Sequence, residues 1–459
     1  MTAHATAETL SPKPADLPGS DRVRILIYLS VLVVLVSYGA PNGGLIDTPI
    51  SFFLKNKLHL KAHEVADFRF LAGIPLYLAF LWGFVRDTWN PFGRRDRGYM
   101  ILFGFLCAAC YAYFAFVTPS ASTLLIAVVL LTSAYLFVLS ARDGLAATIS
   151  RQHVMTGQWS SVFNIVGSVA VLVPLVCGGY LSNLLESKNA ELAARILFLV
   201  GGAAMAAIAL YAIWRPKVVY DNVRAEHKEF HPAQDIRRLF AHWPVYPALL
   251  IWFLWNFAPG SATPLQFYLQ NTLHADDAAW GNWQAIFSGS FIPTFLLYGY
   301  LCRKLSLRTL LFWGTVAGVP QMVPLLFTPN VTAALVAAAP IGLMGGVASA
   351  AYVDLLIRSC PKGLEGTMLM AANALYYLVA RGGDILGTSL YEGLRLDLPG
   401  LHAHLPGGFG VCVAAITFVY ALILPALWLV PRRLTATSDG VAPEGGGFDA
   451  ETDRPAVAV

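Results

Sequence analysis

Residues 83–97 read Gly-Phe-Val-Arg-Asp-Thr-Trp-Asn-Pro-Phe-Gly-Arg-Arg-Asp-Arg and separate two apolar stretches, 64–86 and 98–117. Each stretch is about as long as the roughly 20 apolar residues that cross a bilayer as a helix. A connector this short, charged and interrupted by Gly and Pro must therefore lie at a membrane surface. The residues of interest in this loop are Gly83, Asp87, Gly93, Arg94 and Arg95.

The composition extends this inference to most of the chain. The 459 residues are 57% hydrophobic and 13% charged, whereas a soluble domain averages about 45–50% apolar and about 25% charged residues. We predict an all-α membrane protein with twelve transmembrane helices. The predicted spans are 24–53, 64–86, 98–117, 122–148, 157–184, 192–214, 246–270, 281–302, 308–328, 331–357, 364–391 and 406–431.

A long polar segment divides the predicted spans into two groups of six. A weak internal repeat links the groups, because Asp143 in span four and Asp354 in span ten are each followed by a helix with an early Asn, Asn164 and Asn373. Two related six-helix halves are therefore expected. The predicted segments are a disordered N-terminus (1–21), an N-terminal half (22–214), a linker (215–245), a C-terminal half (246–433) and a disordered tail (434–459).

The basic residues predict the orientation. With both termini in the cytoplasm, roughly three-quarters of the loop Lys and Arg face the cytoplasm, as the positive-inside rule requires. The basic loop 55–61 is the exception. The chain is therefore expected in the cell membrane, an inner or plasma membrane, with both termini and the 215–245 linker cytoplasmic.

Catalytic and metal-binding patterns are missing from the sequence. Cys107 and Cys110 have CxxC spacing, but they lie in a predicted span, where Cys behaves as a small hydrophobic residue. No nucleotide-binding loop, HExxH motif or nucleophile elbow occurs. We therefore expect no enzyme activity, no cofactor, no metal and no nucleic-acid partner.

Ionisable residues within spans mark candidate sites, because they are costly in hydrocarbon. In span eleven, Asn373 and Asp384 point within about 20° of each other, and Arg381 lies three residues before Asp384. They form either a polar stripe that lines a cavity or a self-neutralising pair that locks helices together. Both interpretations remain open from the sequence.

Span four contains the adjacent residues Arg142 and Asp143. Neighbouring residues on a helix diverge by about 100°, so we expect each of these two to have a separate partner. Alternatively, the span is shifted and the two residues lie at the cytoplasmic interface. Asp354 precedes Arg358 by four residues, which favours neutralisation at the surface.

Spans five and seven contribute uncharged candidates. Asn164 belongs to span five, and span seven is interrupted by Pro259-Gly260 and Pro264, which predict a broken helix beside a cavity. Aromatic side chains there stack on a flat ligand or form an interfacial belt. The candidates in span seven are Trp255, Asn256, Phe267 and Tyr268.

The 83–97 loop resembles the loop between the second and third helices of major facilitator superfamily transporters. Gly83, Asp87, Gly93, Arg94 and Arg95 fit the pattern, whereas Thr88 replaces an Arg and residues 89–92 lengthen the turn. The longer loop is similar to that of the folate-biopterin transporter branch. Three further stretches resemble the same branch, namely 52–60, 259–298 and 360–373.

This resemblance implies a secondary transporter that works by alternating access. It implies folates or pterins as substrates, with a carboxylate held by Arg142 or Arg381 and the ring stacked on Trp255, Phe267 or Tyr268. Another solute, such as a peptidoglycan fragment, a sugar or a drug, is an alternative, and so is a receptor or assembly factor on the same scaffold.

The expected partners are a small molecule, the bilayer and a coupling proton, and the expected form is a monomer. A buried carboxylate with a raised pKa would carry the proton, first Asp384 and second Asp143. The 83–97 loop is expected to act as a cytoplasmic gate, with Asp87 near a helix N-terminus. Arg94 and Arg95 would contact acidic or phosphate groups.

Overall fold

The structure is a computed structural model and describes residues 18–60, 68–220, 237, 241–275, 277–361, 363–393, 395–398, 401–404, 407–436 and 438. The predicted disordered segments 1–21 and 434–459 and the 215–245 linker lie largely outside these residues. The end of the bundle that carries the 89–94 turn is called the predicted cytoplasmic end below.

Helices account for the N-terminal part. In addition to the helical residues 68–72, they are α1 (Gly19–Gly39), α2 (Asp47–Asn56), α3 (Ile74–Tyr77), α4 (Phe80–Thr88), α5 (Arg95–Phe114), α6 (Ala121–Gln152), α7 (Thr156–Glu186), α8 (Ala190–Ile213) and α9 (Lys217–Tyr220). A 3₁₀ turn at Pro91–Gly93 joins α4 to α5.

Helices also dominate the C-terminal part. They are α10 (Val245–Asn256), α11 (Thr263–Phe267), α12 (Asp277–Leu301), α13 (Leu307–Gly318), α14 (Val331–Ser359), α15 (Glu365–Glu392), α16 (Phe409–Ala421), α17 (Ile423–Ala426) and α18 (Arg432–Thr435). Single turns follow α11 (π, Tyr268–Thr272), α13 (3₁₀, Val323–Phe327) and α17 (3₁₀, Leu427–Leu429). An antiparallel hairpin, β1 (Arg395–Leu398) and β2 (Leu401–His404), precedes α16, with Arg395 opposite His404.

Local sequence explains where these helices begin and break. Ser120, Asn189 and Asn330 each accept a hydrogen bond from a backbone N–H three residues later and so cap α6, α8 and α14. The seventh predicted span breaks after α10, where Gly260 adopts a φ of 110°. The broken helix that Gly and Pro predict there is therefore present.

Each of the twelve predicted spans falls on one or more helices. Within the described residues, eight helical segments are long and apolar enough to cross a membrane by length and composition. Those eight correspond to predicted spans one, three, four, five, six, nine, ten and twelve. The second and seventh spans are broken into shorter helices, and α15 carries the polar residues discussed below.

Two large hydrophobic cores hold the bundle together, and a small third cluster (Leu76, Ala79, Leu136, Met370 and Ala374) joins the two parts of the chain. The first includes Tyr99 and Tyr111, and apart from Ile357 its buried members come from residues 25–219. The second includes Tyr298 and Tyr352, and its buried members come from residues 245–430. Because each core is almost confined to one part of the chain, the surface between the two parts is where a site and a moving interface can form.

Candidate transport site

A cavity of about 190 Å³ lies between α6 and α15, beside the break that follows α1. Thr132 and Arg142 both line it from α6, so it extends about 15 Å along that helix. At its outer end, Asn42 Nδ2 donates to Thr132 Oγ1 over 3.1 Å. The full lining is Pro41, Asn42, Leu76, Thr132, Tyr135, Leu139, Arg142, Asn373 and Tyr377.

Arg142 lies at the inner end of this cavity and forms an ion pair with the adjacent residue, Asp143. Arg142 Nε and Nη2 donate to Asp143 Oδ1 over 2.9 and 2.6 Å, and the two residues are 6% and 8% exposed. The expectation that they have separate partners was therefore wrong. The Cα–Cβ bonds do diverge, but the long Arg side chain bends back to the short Asp side chain beside it.

Two other helices complete the surroundings of the pair. From α15, Asn373 Nδ2 approaches Asp143 Oδ2 at 3.5 Å. From α7, the ring of Phe163 lies 5.5 Å from Arg142 Cζ, a cation–π distance. Because Asn373 belongs to the C-terminal part and Asp143 to the N-terminal part, the site bridges the two cores.

Asp384 lies away from this cavity and binds Thr263 of the broken seventh span. Its Oδ1 accepts from the backbone N–H of Thr263 over 2.9 Å, and its Oδ2 accepts from Thr263 Oγ1 over 2.8 Å. It thereby caps the first turn of α11, the outer piece of the broken seventh span. Arg381 is exposed, and it makes no ion pair with Asp384 among the residues that the structure describes.

The polar residues predicted to form one stripe on α15 therefore face two different helices. Asn373 and Asp384 are eleven residues apart, which separates them by about 16 Å along the helix. The first faces the cavity and α6, whereas the second faces α11. Asp384 does hold helices together, but through Thr263 and not through Arg381.

The two other amide candidates bond within their own helices. Asn164 Nδ2 donates to the carbonyl of Ser160 over 2.7 Å, and Asn256 Nδ2 donates to the carbonyl of Trp252 over 2.8 Å. These are contacts to the preceding helical turn. In this conformation neither amide lines the cavity.

The aromatic candidates pack inside the C-terminal part. Trp255 stacks on Tyr420 with centroids 4.8 Å apart and meets Tyr352 edge-on. Tyr268 stacks on Phe409 at 4.3 Å. Phe267 is 48% exposed. None of the three lines the cavity, whose aromatic side chains are Tyr135 and Tyr377.

At the predicted cytoplasmic end, Asp87 joins the two parts of the chain. Its carboxylate accepts from the backbone N–H of Gly366 over 3.2 Å and from both the N–H and the hydroxyl of Thr367 over 2.6 Å. These donors belong to the first turn of α15, where a negative charge is favoured. We call this set of contacts the Asp87 latch.

A buried cation supports the latch from behind. Arg86 Nη1 donates to Asp87 over 2.5 Å, and Arg86 Nε donates to Asp96 Oδ1 over 2.5 Å. The three side chains are at most 9% exposed. Gly83 allows this close approach, because a Cβ there would lie 2.5 Å from the carbonyl oxygen of Gly366.

The rest of the loop turns at the surface. Gly93 has a φ of 64° and Phe92 a φ of 56°. Arg94 is exposed, and the N–H of Arg95 donates to Asn90 Oδ1 over 2.6 Å. Arg97 anchors the end of the loop by donating to the carbonyls of Ala212 and Ile213 at the end of α8.

A second group of contacts joins the two parts near the start of α7. Arg358 Nε donates to Asp354 Oδ1 over 2.9 Å and to Thr156 Oγ1 over 3.1 Å, and Tyr298 donates to Asp354 Oδ2 over 2.9 Å. Asp354 is fully buried. The expected surface neutralisation by the Asp354–Arg358 pair was wrong, because α14 packs against α12 and α7 at this level.

Sequence reasoning missed several of these residues. Arg151 pairs with Glu365 over 3.2 Å, and Arg303 donates to Gln158 over 3.1 Å, in both cases across the two parts. One signal was available, because Gly299 and Arg303 repeat the spacing of Gly83 and Asp87. The partners themselves belong to distant parts of the chain.

Nothing in the described part of the chain suggests a metal centre. No group of three or more His, Cys, Asp or Glu side chains there has a suitable arrangement. Cys107 is buried, and its Sγ approaches the carbonyl of Leu131 at 3.7 Å, as for a packed side chain.

Solved structures share this fold at low sequence identity. A bacterial homologue of the iron transporter ferroportin, in an outward-facing state, is 17% identical with a TM-score of 0.63, covering 89% of this chain and 98% of that one. The human organic anion transporter MFSD10 (TETRAN) is 14% identical with a TM-score of 0.61, over 90% and 100%. FucP, in the outward conformation, is 11% identical with a TM-score of 0.64, over 90% and 99%.

The sequence match is broader than any single motif. The family model of the Major Facilitator Superfamily matches residues 25–382, while no functionally curated protein matches the chain. The predicted fold class, an all-α membrane protein with two six-helix halves, is confirmed. The chain therefore belongs to the major facilitator superfamily and is a multi-pass membrane transporter.

Proposed function

We propose that the protein is a secondary active transporter that moves a small organic solute, a pterin or folate, together with protons by alternating access. One observation carries the proposal: a buried guanidinium, Arg142, ends a polar cavity between the two halves. A buried cation at that position is expensive in a membrane and is most often functional.

The lining of the cavity supports a flat solute with an acceptor group. Arg142 presents planar N–H donors that suit a carboxylate, and Asn373 offers amide donors and an acceptor. Tyr135 and Tyr377 provide ring faces and hydroxyl groups. They replace Trp255, Phe267 and Tyr268 as the proposed stacking residues, since those three pack elsewhere.

The latch supports the alternating-access part of the proposal. The described polar contacts between the halves involve Asp87, Asp143, Glu365 and the start of α7, all within about 15 Å of the predicted cytoplasmic end. Opening that end requires these contacts to break. The Asp87 latch would therefore hold the cavity closed on the cytoplasmic side while the other side exchanges solute.

The coupling proton is assigned to Asp143. Asp384 was the first choice from the sequence, but both of its oxygens already accept hydrogen bonds from Thr263. Asp143 instead lies beside the solute-binding guanidinium, where a change of charge would be sensed directly by the solute. We propose Asp384 as the residue that positions α11 beside the cavity.

The proposed setting is a cell membrane, with a monomer whose termini face the cytoplasm. The positive-inside rule supports this orientation. The Arg-rich turn at 94–97 then lies on the cytoplasmic side, together with the latch.

Ligand-induced thermal stabilisation of the purified protein, followed by uptake into proteoliposomes, tests this function. The probes are pterin, pterin-6-carboxylate, folate, fucose and a peptidoglycan disaccharide. We expect stabilisation and pH-dependent uptake only with pterin compounds, and Arg142→Gln should abolish both for pterin-6-carboxylate. Response to a sugar alone, or to none of the pterins, would overturn the proposal. Arg24→Gln, at an exposed pair with Asp21, is the matched control.

A further inference from the structure

In the buried pair, the two carboxylate oxygens of Asp143 differ in their hydrogen bonding. Both donors of Arg142 meet the same oxygen, Oδ1, whereas Oδ2 has Asn373 at 3.5 Å, the outer limit of a hydrogen bond. Arg142 also lines the cavity, while Asp143 does not. A solute in the cavity would therefore contact the Arg142 side chain directly.

The surroundings of the pair contain few other charges. On its own helix the nearest titratable group is the phenol of Tyr135, and α15 contributes the phenol of Tyr377 and the neutral Asn373. From α7 the neighbour is Phe163. Two further charged residues lie nearby. The guanidinium of Arg86 lies against Gly144 and is already paired with Asp87 and Asp96, and Asp47, at the start of α2, acts electrostatically on Tyr377.

Charge balance then limits what can bind. The empty site holds one positive and one negative side chain and is neutral. An added carboxylate would leave a net negative charge in a water-poor part of the membrane, which is strongly unfavourable. Two ways of restoring neutrality exist, namely a bound cation or protonation of Asp143. Protonation of Asp143 needs no ligand beyond the residues already at the site.

We infer that the carried solute is a small monocarboxylate that displaces Asp143 from Arg142, and that the displaced Asp143 takes up one proton from the same side of the membrane. This inference rests on the proposed function and specifies its substrate class and coupling residue. The loaded site is neutral, because Arg142 pairs with the solute and Asp143 is protonated. One carboxylate and one proton cross together, with no net charge.

Return of the empty transporter follows from the same exchange. When the carboxylate leaves toward the cytoplasm, Arg142 regains Asp143 as its partner and Asp143 releases its proton to that side. No covalent bond is made or broken. The neutral pair seen here is then the form in which the empty transporter reorients, since an unpaired buried charge would oppose that movement.

The cavity also limits the size of the solute. Its volume of about 190 Å³ is below the roughly 300–1,000 Å³ of pockets for drug-sized ligands. This size favours a single bicyclic ring with one carboxylate over a complete folate. Pterin-6-carboxylate is therefore the probe of choice, with uncharged pterin as its matched analogue.

The decisive experiment measures protons and solute separately. Purified protein in weakly buffered detergent is mixed with pterin-6-carboxylate while a pH dye reports proton uptake. The wild type is expected to take up one proton for each carboxylate bound. In proteoliposomes an inside-alkaline pH gradient should drive accumulation, and a valinomycin-imposed potential should have no effect.

Asp143→Asn separates coupling from binding. It should bind pterin-6-carboxylate without proton uptake, retain exchange of labelled for unlabelled solute, and lose accumulation driven by the pH gradient. Asp21→Asn, a change of the same kind at the exposed Arg24 pair, should behave as wild type. Should the buried Arg142 prevent Asp143→Asn from folding, the double variant Arg142→Gln/Asp143→Asn removes both charges and should fold without binding the carboxylate.

The possible results distinguish this inference from the function on which it rests. Carboxylate binding without proton uptake in the wild type, unaltered pH-driven accumulation by Asp143→Asn, or uptake driven by membrane potential would overturn the inference and leave a pterin transporter in place. Uptake of uncharged pterin alone would do the same. Binding and uptake of neither compound would overturn both.

Discussion

Two aspartates, Asp87 and Asp384, make the same contact at different ends of the bundle. Each accepts from the backbone N–H and the hydroxyl of a threonine in the first turn of a helix, Thr367 and Thr263 respectively. Beside each contact, a glycine allows α15 to approach another backbone closely. Gly83 of α4 lies against the backbone of Gly366 and Thr367, and Gly387 of α15 lies against the backbone of Pro259 and Gly260.

The difference lies in which parts of the molecule are joined. Asp87 and Thr367 belong to different halves, and the carboxylate is supported by Arg86. Asp384 and Thr263 belong to the same half, and Asp384 has no ion pair among the described residues. Alternating access must break the first contact and can keep the second. The same chemistry should therefore control conformation at one end and stability at the other.

The largest effect is expected from Gly83→Val. A side chain at this position would overlap the backbone of Gly366 and Thr367 whenever the predicted cytoplasmic ends approach. The halves can avoid the overlap by staying apart, so the protein should fold with nearly normal thermal stability while uptake falls to background. Uptake in proteoliposomes and thermal unfolding of the same preparation measure the two quantities.

Gly387→Val is the matched control for that variant. A Cβ at Gly387 would overlap the backbone of Pro259 and Gly260, and both belong to the same half. Separation of the halves cannot relieve this overlap, so unfolding temperature and expression should fall together with transport; overpacking of this kind typically costs about 1–3 kcal/mol. Equal loss of stability in the two glycine variants would contradict the distinction.

Asp87→Asn should have the next largest effect. Hydrogen bonds to a charged group contribute about 1.5–3 kcal/mol, so the ratio of latched to unlatched molecules should fall roughly 10- to 100-fold. Spin-label distances between the halves measure that ratio, and transport rate should change with it. If the rate and the distances stayed at wild-type values with normal expression, the latch would have no gating role.

Asp384→Asn should mainly change stability. Loss of a partner at a partly buried cap costs about 1–3 kcal/mol, which would lower the unfolding temperature while accumulation driven by a pH gradient persists. The coupling role that the sequence favoured for Asp384 gives the opposite result. Under that hypothesis uphill uptake disappears and the unfolding temperature is unchanged, so one preparation decides between the two.

The membrane-spanning helices could be predicted from the sequence, because hydrophobicity and length alone mark such helices in a membrane protein. All twelve predicted spans fall on helices, including the seventh with its break at Gly260. The resemblance of the 83–97 loop to that of the superfamily also predicted Asp87 near a helix N-terminus, although its partner Gly366 lies 279 residues away.

The site was harder to predict because its partners are remote in sequence. Asn373 meets Asp143 across 230 residues, and Asp384 meets Thr263 across 121. Helical periodicity gives the face of a residue but not the helix that packs on that face, which is why Asn373 and Asp384 seemed to share one environment. Periodicity also misled for Arg142 and Asp143, because it describes Cβ directions and ignores side-chain length.

The smallest effects are expected from removing only the hydroxyl donors, in Thr367→Val and Thr263→Val. Each variant keeps the backbone N–H bond and loses one side-chain hydrogen bond, which is worth about 0.5–1.5 kcal/mol. Thr367→Val should shift the spin-label distances toward the unlatched state with little change in unfolding temperature, whereas Thr263→Val should do the reverse. Because the two substitutions are chemically identical, opposite shifts in conformation and stability would reflect the different settings of the two contacts, one across the halves and one within a half. Identical responses would mean that both threonines only stabilise the fold, and the Asp87 contact would then be a structural cap like that of Asp384.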